Sequence, residues 1–189
     1  SLLNLATHGI RELNKRYGTA THNPFLLFHR PRLWNSVDKV WMGYERKRGK
    51  LADLNHVLRG ESKEKFSVII GVEAIYTSVK YVITLDTDTQ LPRDAAWKLI
   101  GTMAHPINQP VYDEKKRRVT EGFAIIQPRI AISLHGATRS GYTLLHENDS
   151  GIDPYTRVTS DVYQDVFGEG SFIGKGIYDV DAFEKALDE

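Results

Sequence analysis

Apolar residues recur at two different spacings along this chain, and each change of spacing marks a predicted element. Leu2, Ala6, Ile10 and Leu13 follow a helical period, and Gly18 comes directly after that segment. Because glycine commonly ends helices, the first predicted element is an amphipathic helix that stops near Gly18.

The next segments alternate between short apolar runs and helical periodicity. An apolar run at 25–28 predicts a buried strand, 30–49 has little periodicity and predicts a long loop, and 50–58 predicts a helix. The runs 66–72 and 81–85 are continuously apolar and rich in β-branched residues. Such runs are typical of strands buried on both faces of a parallel sheet.

The second half of the chain continues this alternation. Its predicted elements are a helix after Pro92, a polar hairpin at 111–119, a strand at 123–126, a helical stripe at 155–166 ending at Gly168, a short strand at 172–173, and a last helix with Asp181 and Glu184 as a capping box. Alternating strands and helices indicate an α/β sheet in one domain spanning 1–189. Since the chain opens and stops in predicted helices, we expect it to be an excerpt of a larger domain.

Composition narrows the function classes without choosing one. The formal net charge is +1, so no overall field favours nucleic acid as a partner, and the absence of cysteine excludes disulfides and thiolate metal sites. No apolar run approaches the ~20 residues needed to span a bilayer. Charge is uneven, however: 30–50 carries seven Lys/Arg against two acids, and after His135 the balance reverses toward acid. Either two solvated faces or a site for both an anion and a cation would account for this unevenness.

The segment 81–92, YVITLDTDTQLP, carries the strongest local signal. A buried strand there delivers Asp86 and Asp88 to the carboxyl end of the sheet, where open α/β folds bind ligands. Residues two apart on an extended chain point the same way, so both carboxylates are predicted to approach one hard cation, Mg²⁺ or Mn²⁺. Such a cation would clamp a diphosphate and neutralise it as a leaving group.

This segment has three other interpretations. A turn with helix-capping aspartates stays open. An EF-hand loop starting at Asp86 needs glycine at its sixth position and glutamate at its twelfth, where the chain has Leu91 and Trp97, so that interpretation fails. A phosphatase of the haloacid dehalogenase type also places two aspartates after a strand, with the first as nucleophile. That family expects Thr or Val where Gln90 stands.

Two further segments carry candidate binding residues. In 44–55, Lys50 follows Gly49 at a predicted helix start, where a cation beside free N–H groups can meet phosphate; a solvated basic turn is the alternative. In 166–176 the glycines allow close backbone approach. Glu169 and Ser171 there could hydrogen-bond a hydroxyl-rich ligand, although a structural turn is the better explanation of this segment taken alone.

Taken in order, these three segments resemble the processive glycosyltransferases of the GT-A type, including cellulose synthases. In detail, the sequence resembles the glycosyltransferase domain of bacterial cyclic β-1,2-glucan synthases more closely still. The resemblance covers about 30–189, through WMGYERKRGKLADLN, YVITLDTDTQLPRDAAWKLIGTMAHP, VYDEKKRRVTEGFAIIQPRIAISL and GIDPYTRVTSDVYQDVFGEGSFIGKGIYDVDAFEKAL.

The resemblance implies a partial GT-A sheet flanked by helices, lacking its first nucleotide-binding strands. It implies inverting transfer of glucose from UDP-glucose to the 2-hydroxyl of a growing β-glucan. Mapped onto this chain, it makes Asp86 and Asp88 the metal–diphosphate ligands and Lys50 a phosphate contact. It also implies that one segment faces the glucan acceptor, made of Gly168, Glu169, Gly170 and Ser171. The segment 127–129, from Gln127 to Arg129, is either part of the same cleft or an ordinary strand end.

The same resemblance places the general base beyond Glu189, so we expect the 189 residues alone to be inactive. Were they active, Asp153, Asp161, Asp165 or Glu169 would be the base candidates. The implied parent is a protein of the bacterial inner membrane with this part on the cytoplasmic face. Phosphatase chemistry at Asp86 and a non-catalytic carbohydrate-binding domain stay as alternatives.

Overall fold

The computed structural model describes residues 1–19, 22–71, 77–128, 166 and 172–187. Four α-helices lie in these residues: α1 (Leu2–Tyr17), α2 (Arg46–Leu58), α3 (Ala95–Ala104) and α4 (Val180–Leu187). The strands are β1 (Leu27–His29), β2 (Leu33–Asn35), β3 (Val40–Met42), β4 (Val68–Ile70), β5 (Tyr81–Thr84), β6 (Val111–Asp113), β7 (Arg118–Glu121), β8 (Ile125–Ile126) and β9 (Gly176–Asp179). The fold is mixed α/β, as predicted.

The largest sheet of the described residues has three strands in the order β5-β9-β8, with β9 in the middle. Its registers pair Tyr81 with Asp179 and Ile125 with Tyr178, and both pairings are antiparallel. The remaining described sheets are two-stranded and also antiparallel: β1 with β4, β2 with β3, and β6 with β7. The predicted parallel sheet is therefore wrong for these strands, because continuous apolar character reports burial on both faces and not strand direction.

Strand β9 separates two apolar clusters, since successive side chains point to opposite faces. Ile177 packs with Leu99 and Met103 of α3 on one face. Tyr178 packs on the other face with a larger cluster, which comprises Leu51, Val57, Leu58, Phe66, Val180 and Phe183. The sheet is thus a middle layer between α3 and the pair α2–α4, an arrangement that buries the strand on both sides.

A buried hydrogen bond links β9 to α2 through this core. The Tyr178 hydroxyl donates to Asn55 Oδ1 at 2.7 Å, and both residues are almost fully buried. The Tyr178 ring also stacks on Phe183 of α4 at 4.4 Å between ring centroids. The polar end of the tyrosine therefore finds its partner in α2 while its ring fills the space beneath α4.

The predicted first helix is confirmed as α1, which ends at Gly18. Its residues are all at least partly exposed. One side chain fastens it to the chain that follows: Asn14 Nδ2 donates to the Phe25 carbonyl at 2.7 Å, and the Phe25 N–H donates to Asn14 Oδ1 at 2.9 Å. The asparagine thus pairs with the backbone as a neighbouring strand would. None of the helices in the described residues is both long and apolar enough to cross a membrane.

The predicted loop at 30–49 is wrong, because it contains the β2–β3 hairpin and the first turn of α2. Trp34 and Trp41 face each other across the hairpin, with ring centroids 6.0 Å apart in edge-to-face contact. Such cross-strand aromatic pairs stabilise short hairpins. The polar residues between the tryptophans hid this pairing, since three-residue strands are too short to show a period.

The prediction for the end of the chain placed two features wrongly. Phe172 and Ile173 form no strand, and the strand begins at Gly176. The last helix is capped by Asp179, whose Oδ1 accepts from the Ala182 N–H at 3.1 Å, whereas Asp181 pairs with Arg59. The hairpin at 111–119 and the helix after Pro92 are confirmed as β6–β7 and α3. Of the stripe at 155–166, only the last residue lies in the described part.

We predict that Tyr178→Phe lowers the free energy of unfolding by about 1–3 kcal/mol, because it leaves the buried Asn55 Oδ1 without its donor. Tyr44→Phe is the matched control, since the Tyr44 side chain is exposed, and we expect a change within about 0.5 kcal/mol. Urea denaturation followed by circular dichroism measures both. Equal stability of the two variants would contradict the structural role of the bond.

Alkaline pH tests the same site independently. Burial raises the pKa of the Tyr178 phenol well above its usual range, against the opposing effect of the Asn55 hydrogen bond. The unfolded phenol ionises near the ordinary value of about 10, so stability is intact below that pH and falls above it. Tyr178→Phe should lose less stability above about pH 10 than the wild type, and parallel losses would contradict this assignment.

Candidate functional site

Three segments of the chain meet at one carboxylate, Asp86. The first is the start of α2, which provides Lys47; the second is the end of β5, which leads into Asp86. The third is the turn before β9, with Gly174 and Lys175. Antiparallel pairing of β9 with β5 brings this turn beside the end of β5, because Thr84 pairs with Gly176.

Asp86 is held between two ammonium groups. Lys47 Nζ donates to Asp86 Oδ1 at 2.5 Å, and Lys175 Nζ lies 2.7 Å from Asp86 Oδ2. The hydrogen bonds from Lys175 and Lys47 lower the pKa of the Asp86 carboxyl to about 2. The side chains of Lys47, Asp86 and Lys175 keep 33%, 36% and 24% of their surface exposed. Water therefore reaches all three, which limits the energy of the pairs and leaves them free to exchange partners.

Lys47 also fixes the turn before β9. Its ammonium group donates to the Gly174 carbonyl, in addition to Asp86. Gly174 has φ +83°, and a Cβ added there would lie 3.0 Å from Lys47 Cδ. The positive φ favours glycine at this position, because side-chain-bearing residues rarely adopt it, and an added Cβ would also press on the lysine stem.

The end of β8 supports the same turn from the other side. The Ile173 N–H donates to Gln127 Oε1 at 2.8 Å. Gly176 lies so close to β8 that an added Cβ would meet the Ile126 carbonyl oxygen at 2.5 Å. Gln127 thus anchors the turn, while Arg129, at the other end of the predicted 127–129 segment, lies outside the described residues.

A cavity of about 290 Å³ lies beside Lys47. It is lined by Lys47, Arg48, Leu51, Ile125, Phe172, Ile173, Gly174 and Phe183. Its walls are mainly apolar, with the two basic residues at one side, and its size is near the lower end for a small-molecule pocket. Neither aspartate lines it, so the cavity and the carboxylates share Lys47 without forming one pocket.

Asp88 differs from Asp86 in its backbone position and in its exposure to solvent. The chain leaves β5 at Thr84 and turns at 87–88, where the Thr89 N–H donates to the Asp86 carbonyl at 3.1 Å. The extended geometry expected for 86–88 is therefore wrong, and alternation along a strand does not align these two carboxylates. Asp88 is exposed, whereas Asp86 is partly buried. Their carboxylate oxygens are nevertheless the donors that Mg²⁺ or Mn²⁺ prefers, and they lie on one turn, so the residues suit such an ion.

Lys50 does not stand at a helix start, as the sequence predicted. Helix α2 begins at Arg46, after Glu45 in a left-handed conformation, so Lys50 lies in the second turn and is exposed. Among the described residues it makes no ion pair. The lysine of α2 that reaches Asp86 is Lys47, one turn earlier. Sequence reasoning missed Lys47 and Lys175, although both lie in the two segments already singled out.

The predicted acceptor turn at 168–171, from Gly168 to Ser171, lies outside the described residues, as do Asp153, Asp161 and Asp165. The described residues therefore include those of the donor-side predictions and not those of the acceptor-side ones. A separate group of possible metal ligands, His56, Glu61 and Glu184, lies near the other end of α2, with ligand atoms within 4.8 Å of one another. His56 is nine residues from Lys47, about 13 Å along a helix axis, so this group is not part of the Asp86 site.

Comparison with known proteins gives one informative match. The chain is 47% identical over 187 residues to the cyclic beta-(1,2)-glucan synthase NdvB of Rhizobium meliloti (strain 1021). The match covers 98% of this chain and spans about 6% of the length of that relative. No protein-family model matches. The predicted resemblance to cyclic β-1,2-glucan synthases is confirmed as sequence identity along nearly the whole chain, and the GT-A architecture stays a prediction.

We predict that Gly174→Ala lowers the free energy of unfolding by about 1–2 kcal/mol, because alanine disfavours its left-handed backbone conformation. The added methyl would also press on the Lys47 stem. Gly101→Ala is the control, since that glycine lies in α3 with open space around it, and should stabilise by about 0.5–1 kcal/mol. Thermal unfolding compares the two, and equal changes of the same sign would contradict the predicted crowding at Gly174.

Proposed function

We propose that this chain is a part of a glycosyltransferase of glucan synthesis. In this proposal the whole enzyme transfers glucose from UDP-glucose to the 2-hydroxyl of a growing β-1,2-glucan, with inversion at the sugar carbon. The identity with a cyclic β-(1,2)-glucan synthase over nearly the whole chain supports the glucan-related function. The donor UDP-glucose, the β-1,2 linkage and the inversion at the sugar carbon are carried over from the resemblance.

The observation that carries the proposal is the pairing of Asp86 with Lys47 and Lys175 at the carboxyl end of β5. A nucleotide-sugar bound with a divalent ion brings charges of both signs, and this site offers both signs within hydrogen-bonding distance. A purely structural ion pair would more commonly join two groups. Here three charged groups are joined, and together they link helix α2, the end of strand β5 and the turn before β9.

In the proposed site, Asp86 and Asp88 hold Mg²⁺ or Mn²⁺. When bound, the ion would neutralise the diphosphate as it leaves the sugar. Before the ion binds, Lys47 and Lys175 pair with Asp86, and Gln127 holds the turn that carries Lys175. Lys50 lies one helical turn from Lys47 and is exposed, which leaves it free to contact a phosphate. The turn at 168–171 would face the glucan acceptor.

A phosphatase with Asp86 as nucleophile gains little support from the geometry. Both oxygens of Asp86 already accept hydrogen bonds from ammonium groups, and the pKa near 2 marks a weakly basic carboxylate. Beryllium fluoride, which traps phosphoaspartate enzymes, should leave Asp86 unmodified. Trapping of Asp86 would favour the phosphatase. Binding of β-glucan that needs neither metal nor nucleotide would favour a carbohydrate-binding domain.

We predict that UDP binds more tightly in Mn²⁺ than in chelator, and that Mn²⁺ with UDP raises the melting temperature by linkage. Asp88→Asn should abolish the Mn²⁺-dependent part, because it removes one anionic ligand, while the exposed position preserves the fold. Isothermal titration calorimetry measures the affinities. Equal UDP affinity in chelator and in Mn²⁺ would contradict the metal assignment.

We predict that Lys50→Ala weakens binding of UDP with Mn²⁺ about tenfold to hundredfold, since a hydrogen bond from a charged donor contributes roughly 1.5–3 kcal/mol. Lys98→Ala is the matched control, because Lys98 is also an exposed lysine within a helix, α3. Both variants should keep the wild-type melting temperature in the absence of ligand. An unchanged affinity in Lys50→Ala would mean that Lys50 is a solvated residue of α2 that does not contact phosphate.

A further inference from the structure

We propose that Lys47 and Lys175 compete with the divalent cation for Asp86, so that the cation and a nucleoside diphosphate bind this site cooperatively. The inference rests on the proposed function and deepens it. It assigns to the two lysines a role that neither the sequence motifs nor the similarity to a glucan synthase indicates. Their ammonium groups occupy Asp86 and oppose binding of a cation alone. When the cation and the diphosphate bind together, the ammonium groups move to the diphosphate oxygens.

The first step of the argument is geometric. Each oxygen of Asp86 is already within 2.7 Å of an ammonium nitrogen. A cation that coordinates one of these oxygens at about 2.1 Å would lie less than about 5 Å from that nitrogen. Because like charges at such distances repel each other, the cation binds better once the ammonium group has moved away.

The second step is the charge balance. Lys47, Lys175, Asp86 and Asp88 carry no net charge together, since two are cationic and two are anionic at neutral pH. A divalent cation alone would leave this group with an excess of positive charge. A diphosphate supplies the missing negative charge and gives the displaced ammonium groups new oxygen acceptors.

The third step concerns the mobility of the two lysine side chains. Lysine places a compact charge on a flexible stem, so its ammonium group can reach a different acceptor without moving the backbone. The ion-paired side chains of Lys47 and Lys175 are partly exposed, at 33% and 24%, and their exchange needs no rearrangement of the core. Lys47 must also release the Gly174 carbonyl, which adds to the barrier against binding of the cation alone.

The test is a titration of Mn²⁺ followed by electron paramagnetic resonance of the free ion, without and with saturating UDP. In the wild type, we expect UDP to tighten Mn²⁺ binding by at least about tenfold. Lys47→Met and Lys175→Met keep the length of the stem but remove the charge. Each should bind Mn²⁺ alone at least about fivefold more tightly than the wild type, with a smaller enhancement by UDP.

Lys98→Met is the control for loss of a distant exposed lysine and should behave as the wild type. Lys47→Arg keeps the charge and should keep the weak binding of Mn²⁺ alone. Melting temperatures establish which variants fold. Lys175→Met carries the test if Lys47→Met unfolds, because Lys175 lies in the turn before β9, outside helix α2, and its ion pair is with Asp86.

The outcomes separate the two proposals. If both methionine variants bind Mn²⁺ alone no better than the wild type, while Mn²⁺ and UDP still bind together, the competition is wrong and the proposed function stands. If Mn²⁺ binding survives Asp86→Asn unchanged, or is absent with and without UDP in every variant, the metal assignment of the proposed function is wrong as well.

Discussion

The contact on which the site depends is the carboxylate of Asp86 between the ammonium groups of Lys47 and Lys175. It joins a helix start, a strand end and a turn that are far apart in sequence. The contact is partly exposed, so it contributes less to stability than the buried groups around it. What it determines is which charged groups stand at the end of β5, and therefore what ligand chemistry this edge of the sheet can accept.

The core beneath the site supplies the rigidity that the ion pairs do not. Strand β9 is buried along its length, with Ile177 against α3 and Tyr178 against α2 and α4. Tyr178 reaches Asn55 of α2, while Lys47, two turns earlier on the same helix, reaches Asp86. One helix is therefore fixed to the sheet at a buried point and meets the site at a solvated one. This arrangement places the ion pairs outside the core that fixes the backbone.

Sequence patterns predicted the elements with long periods or strong end signals and missed those without them. Helix α1, helix α3 and the β6–β7 hairpin have clear periods or a polar turn, and they appear where expected. The β2–β3 hairpin depends on one cross-strand tryptophan pair, which no local period reveals. Asp86 was found because a strand and its end are local features. Lys47 and Lys175 acquire their role only through the pairing of β5 with β9 and the packing of α2, which are tertiary contacts. The predicted acceptor segment, 168–171, lies outside the described residues.

The most direct test of the Asp86 contact is nitrogen-15 NMR of the lysine ammonium groups in the ligand-free chain. Substitutions Lys47→Arg and Lys175→Arg assign the two signals. The contact predicts that both signals exchange slowly with water in the wild type and faster in Asp86→Asn, because the substitution removes the anionic acceptor they share. Signals with the same exchange rates in the wild type and in Asp86→Asn would contradict the contact and the site built on it.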